Sequence, residues 1–167
     1  MEAADPQAWL QERLQRLRND GFVISENVSL SDTVIPALAR RTRFELSKFG
    51  MFETFFIFQT FGSVDEQQLR SFSKQAFRLA LRSRKVPLPC GFFEGVCCFP
   101  VVVTSGLDPA LGELVEKGLP VMRYAAIEMP VIFDRANGRL YYSEQTPMRG
   151  GAYFAGFRDE IIKYLWG

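Results

Sequence analysis

Apolar residues first recur at helical spacing. Leu10, Leu14 and Leu17 follow Asp5-Pro6, an N-cap with proline at the first helical position, and Gly21 ends the run. Residues 22–28 read as a short strand. Asp32 or Thr33 is placed to cap a second helix running to about Phe49, with Pro36 tolerated in its first turn and Gly50 closing it. From residue 51 to 61 the pattern changes, and apolar side chains occupy both alternating faces, as in a strand covered from both sides. Ser63-Val64-Asp65-Glu66 is a capping-box pattern opening the clearest helix of the chain, which runs to about Lys85 before Pro87 and Pro89 stop it.

Residues 96–104 form the next expected strand. Asp108-Pro109 caps a short helix ending at Gly118. Residues 121–134 and 139–144 form a hairpin around Ala136-Asn137-Gly138, and residues 152–165 the last helix. Strands alternating with helices imply parallel crossovers, and the last hairpin adds an antiparallel pair. The expectation is an α/β fold: a single domain over residues 1–167, with a mixed sheet of about four to five strands and helices packed on it. Residues 1–5 carry no pattern and are expected to be disordered. Cys98-Phe99-Pro100-Val101-Val102-Val103 echoes Glu128-Met129-Pro130-Val131-Ile132-Phe133. Proline cannot donate to a ladder, so each such strand belongs at an edge or a bulge. Duplication and convergence both account for the echo.

Composition narrows this picture mainly by exclusion. A chain of 167 residues, 47% apolar and 23% charged, buries one sizeable core. A net charge of +1 gives no global pull toward nucleic acid or anionic membrane. No window approaches the roughly 18 uninterrupted apolar residues of a membrane helix, and the N-terminus lacks a secretory pattern. The three cysteines are odd in number, and Cys97 and Cys98 are adjacent, so they would point to opposite faces of a strand. This suits unpaired thiols in a reduced, cytoplasmic protein.

The chain contains no histidine, which removes Ser-His-Asp and Cys-His catalysis and histidine metal ligation within one chain. No Cys-x-x-C pair or phosphate-binding glycine motif is present, and neither a cofactor nor a metal is expected. Ser71-Phe72-Ser73-Lys74 matches a serine–lysine pattern, but its companion motifs are missing. Glu128 and Asp134 share strand parity yet lie roughly 20 Å apart along it, too far to hold one ion. Asp134 and Glu144 can meet across the hairpin only in one register.

Two binding surfaces remain. Arg70, Lys74, Arg78 and Arg82 form an i, i+4 ladder opposite an apolar helix face, with Arg84, Lys85 and the upstream Arg40, Arg41 and Arg43 adding charge. Such a ladder reads as a track for nucleic acid or an acidic protein, or as a solvated face. Arg149, Gly150 and Gly151 precede the last helix, which carries Arg158, so backbone amides and arginines could hold a phosphate or carboxylate there. The simpler reading is a helix entry that needs glycine. Sixteen phenylalanines, seven between Phe44 and Phe61, serve either as core or as an apolar contact surface. The leading functional expectation is a non-enzymatic binding or assembly domain, meeting a protein partner or itself. The alternatives are a domain for an anionic small molecule and a nucleic-acid binder using the basic helix.

Overall fold

The computed structural model describes residues 5–45, 50–85, 94–123, 125–147 and 151–166. Helix α1 (Pro6–Asn19) begins where the sequence places it, with the Asp5 carboxylate accepting from the Gln7 amide at 3.1 Å. Gly21, at φ +86°, ends it, and the Phe22 amide donates back to the Leu17 carbonyl, the bond of a left-handed C-terminal cap. Of the residues expected to be disordered, 1–4 lie outside the described ones, and Asp5 is the cap.

The chain then departs from its sequence pattern. Strands β1 (Val23–Leu30) and β2 (Thr33–Glu45) form an antiparallel hairpin that turns at Ser31-Asp32, with Ser31 at φ +53°. The helix expected from Asp32 or Thr33 is therefore a strand. Alanine, leucine and arginine favour helix, but β2 is paired on both sides, with β1 and with β3 (Gly50–Phe61). Tertiary pairing overrides local propensity there. Asn27, at φ +52°, lies opposite Pro36, and across this point β2 changes faces: Ile35 packs into one core and Ala37 into the other.

From β3 the chain crosses through α2 (Glu66–Ser83) to β4 (Glu94–Thr104), parallel to β3. The capping box sits two residues later than the sequence suggests. The Gln68 amide donates to Asp65 at 2.7 Å, and the Asp65 amide donates to the Gln68 side chain at 3.0 Å. Asp108 caps α3 (Pro109–Lys117) as expected, accepting from the Ala110 amide at 2.9 Å.

Beyond α3 the expected long strand is broken in three: β5 (Val121–Arg123), β6 (Ala126–Glu128) and β7 (Val131–Asp134), with β8 (Arg139–Tyr142) completing the hairpin. Both β6 and β7 lie parallel to β4, β5 pairs with β6, and β8 pairs with β7. The mixed sheet thus has eight strands rather than four or five, and its N-terminal half is an antiparallel meander. The break follows from the echoed prolines. Cys98 faces Glu128 and Val101 faces Val131, so Pro100 lies opposite Pro130. The Met129 amide donates to the Cys98 carbonyl at 2.9 Å, and the next parallel rung would run from the residue 100 amide to the Met129 carbonyl. Proline has no N–H to make it. Pro100 is therefore not on an edge strand but in the interior of the sheet, at the point where its neighbour is interrupted.

Helices cover both faces. Leu10, Leu14 and Leu17 of α1 and Phe154, Phe157 and Ile161 of α4 (Gly151–Leu165) pack on Phe56, Phe58, Phe99 and Val101. On the other face Leu69, Phe72 and Ala76 of α2 and Leu111 and Val115 of α3 pack on Phe55, Ile57 and Val102. Phe56 stacks on Phe99 with ring centroids 4.7 Å apart. Of the described phenylalanines of the 44–61 run, Phe55, Phe56 and Phe58 are core, Phe61 packs partly buried against it, and Phe44 is exposed. Cys97 and Cys98 form no disulfide and are buried on opposite faces. Cys90 lies outside the described residues.

Phe72 is buried and Arg78 exposed on the same helix. Phe72→Ala should therefore lower the unfolding free energy by about 3–5 kcal/mol, and Arg78→Glu by well under half of that. Chemical denaturation of the two variants measures the difference, and the reverse order would invert the face assignment.

Candidate binding surfaces

The loop before α4 tests least of what the sequence offers. Arg149 and Gly150 lie outside the described residues, and Gly151 is the first residue of α4. Arg158, two turns into the helix, turns back to the same loop: it donates to the Glu144 and Gln145 carbonyls at 3.5 Å and to the Thr146 hydroxyl at 3.2 Å. Its guanidinium thus braces the loop.

The basic ladder of α2 is placed as its spacing requires. Arg70, Lys74, Arg78 and Arg82 are all exposed, opposite buried Leu69, Phe72, Ser73, Ala76, Phe77 and Ala80. Arg70 pairs with Glu66 one turn earlier at 2.6 Å. The upstream arginines do not form one cluster, because they alternate along a strand. Arg40 donates to the Ser83 carbonyl at 2.8 Å at the end of α2, Arg41 points to α4 on the opposite face, and Arg43 is exposed. Beside the N-terminal half of α2 lies an open groove of about 330 Å³, floored by Leu30, Phe61 and Phe72 and rimmed by Gln59, Gln67 and Gln75. Its one carboxylate, Asp65, is committed to the helix cap.

The carboxylates that the sequence raises as metal ligands serve the fold instead. Glu128, on β6, accepts a short hydrogen bond from the Ser73 hydroxyl of α2 in the buried layer between them. Burial, and then the neighbouring Glu128 carboxylate, pushes the Cys98 thiol well above its usual range. Asp134 accepts from the Ala136 amide at 3.0 Å and shapes the β7–β8 turn. Its strand partner is Arg139, so Glu144 lies near the far end of the hairpin. Glu53, also buried, accepts from the Lys85 amide with both oxygens and from the Thr42 hydroxyl at 3.2 Å. Among the described residues no three histidine, cysteine or acidic side chains are grouped to hold a metal ion. None of the described helices is long and apolar enough to cross a membrane.

Two features escape the sequence pattern. The first is a polar staple around Arg41. Its guanidinium reaches Asp20 at 2.6 Å, Glu160 at 2.7 Å and the Tyr164 hydroxyl at 2.9 Å, and lies 4.4 Å over the Phe22 ring. Asp20 also accepts from Tyr164 and from Lys163. The bond from Tyr164, then that from Lys163, holds the Asp20 carboxyl down at about 2. The second is the sheet's β5 edge. Leu119 is 66% exposed, Val121 42% and Met122 44%, with Leu114 of α3 also exposed nearby in the chain. A run as short as Leu119-Pro120-Val121-Met122 carries no periodic signal, and its exposure follows from the break in the sheet.

Set against known proteins, the chain matches no family model, no curated protein and no solved structure.

The Asp20 carboxyl lies below its ordinary 3.8 in the folded protein, so its contribution to stability is complete above that value and lost as pH falls toward 2. With its side chain 35% exposed, screening leaves that contribution on the order of 1 kcal/mol. Asp20→Asn should lower stability by that order at neutral pH and flatten the acid limb. Equal slopes in both proteins across this window, followed by urea unfolding at stepped pH, would contradict the assigned role.

Proposed function

We propose that this chain is a non-enzymatic binding or assembly domain acting through protein–protein contacts, with a second copy of itself as partner and β5 as the contact edge. The supporting observation is the difference between the sheet's three edges. The β1 edge is kinked by left-handed Asn27 and carries Glu26, paired to Arg18 at 2.5 Å, devices that discourage strand addition. The β8 edge is covered by α3: the Glu144 amide donates to the Glu116 carbonyl at 3.1 Å, and the Ser143 hydroxyl to the Gly118 carbonyl at 2.5 Å. Gly112 of α3 lets the Tyr141 ring approach, since a Cβ there would lie 2.5 Å from it. β5 has one strand neighbour and exposes Val121 and Met122 beside Leu119, and no left-handed residue like Asn27 of β1 is found within it. Two such edges related by a two-fold axis can pair antiparallel and extend the sheet.

The non-enzymatic part of this reading draws on the missing histidines and on the commitment of Ser73, Glu128, Asp134 and Glu53 to internal hydrogen bonds. A cytoplasmic setting fits Cys97 and Cys98, which form no disulfide. For the anionic-ligand alternative, the bracing role of Arg158 offers no positive support.

Light scattering across a concentration series tests the proposal. The wild-type chain should form a concentration-dependent dimer, and Leu119→Glu with Met122→Lys, both at exposed positions, should hold it monomeric without loss of thermal stability. A wild type that stays monomeric, or a dimer indifferent to both substitutions, overturns it.

A further inference from the structure

We infer that the outer face of α2 is a sequence-independent docking track for the phosphate backbone of a nucleic acid, separate from the β5 edge. Arg70, Lys74, Arg78 and Arg82 rise about 6 Å per step and span about 18 Å of the helix, all in solvent. Several cations elsewhere meet carboxylates: Arg41 meets Asp20 and Glu160, Arg18 meets Glu26, Lys117 meets Glu113 and Arg139 meets Glu116. On α2, Glu66 is the single acid and it pairs with Arg70, while Lys74, Arg78 and Arg82 have no carboxylate within 4.0 Å among the described residues.

The fold gives no reason for this arrangement. Like charges at i, i+4 repel, and a helix that needs only solubility gains by alternating their sign. Favourable interaction with the helix dipole accounts for Arg82 in the last turn, not for Lys74 and Arg78 in the middle. Charge complementarity therefore points outward, to a polyanion. The chemistry of the same face selects its class. The exposed positions of α2 other than the ladder are Glu66, Gln67, Gln68 and Ser71, and none is apolar. A protein partner would be expected to use a central aromatic or apolar anchor, whereas phosphate oxygens need only cations and hydrogen-bond donors such as Ser71 and Gln67.

The test is fluorescence anisotropy of a labelled mixed-sequence DNA duplex, titrated with the full chain at stepped potassium chloride. Four phosphate contacts should give a slope of log K against log salt of about −3.6, a loss of affinity on the order of 10²-fold between 50 and 200 mM. Lys74→Gln and Arg78→Gln, each exposed and each verified as folded by its thermal transition, should each reduce the slope by about 1. Lys117→Gln, a cation on α3, should leave it unchanged. Absence of binding at low salt, or a slope that does not respond to Lys74 and Arg78, overturns the inference. So does binding to polyglutamate as tight as to the duplex, which would make the partner an acidic protein.

Discussion

Pro100 has no amide hydrogen to give to the Met129 carbonyl, and the C-terminal half of the molecule is arranged around that missing rung. β4 is the spine of the sheet, paired along its whole length with β3. On its other side it holds β6 up to Glu128 and β7 from Val131. Pro130, directly opposite Pro100, likewise has no N–H to offer the next strand outward, in the gap between Val121 at the start of β5 and Tyr142 at the end of β8. A single long strand with one continuous neighbour becomes two short hairpins set end to end. One is closed by α3 and the other is open, so the exposed β5 edge is a consequence of backbone chemistry in the core.

A second constraint ties the two ends of the chain together. α1 and α4 lie on the same face, and their contact mixes apolar packing with cations aimed at the last turn of α4. Arg13 donates to the Leu165 carbonyl at 3.2 Å and Arg16 to the Trp166 carbonyl at 2.7 Å, where the helix dipole favours positive charge. The Arg41 staple adds β2 to the pair, so that one guanidinium links three elements distant in sequence. Buried charges of this kind are held by multiple partners, because breaking one leaves an uncompensated group.

Much of the architecture was legible where local chemistry and tertiary context agree. Asp5-Pro6 and Asp108-Pro109 announce α1 and α3, the amphipathic ladder announces α2, and adjacent Cys97 and Cys98 fall on opposite faces as strand geometry requires. The β2 strand was not legible, because its Ala37, Leu38, Ala39 and Arg40 favour helix in isolation and only pairing on both sides makes it a strand. The Pro100–Pro130 echo was visible as a repeat, but its meaning depends on two strands lying in register, which no local window contains. For the surfaces the balance is similar. The α2 face could be read directly from its spacing, whereas the β5 edge and the Arg41 staple arise from residues brought together across the fold.

The proposed contacts use two outward faces of the molecule, one apolar and extended at β5, one cationic and helical on α2. The claim on which this depends is that the break at Pro100 and Pro130 leaves β5 as the open edge. Amide hydrogen exchange at low and high protein concentration measures this most directly. At low concentration the amides of β4 and that of Glu144 should be protected and the outward-facing amide of Met122 should exchange quickly, and at high concentration the Met122 amide should gain protection while the β1 edge does not. Protection that rises at β1 instead, or a Met122 amide already protected in dilute solution, would contradict the account.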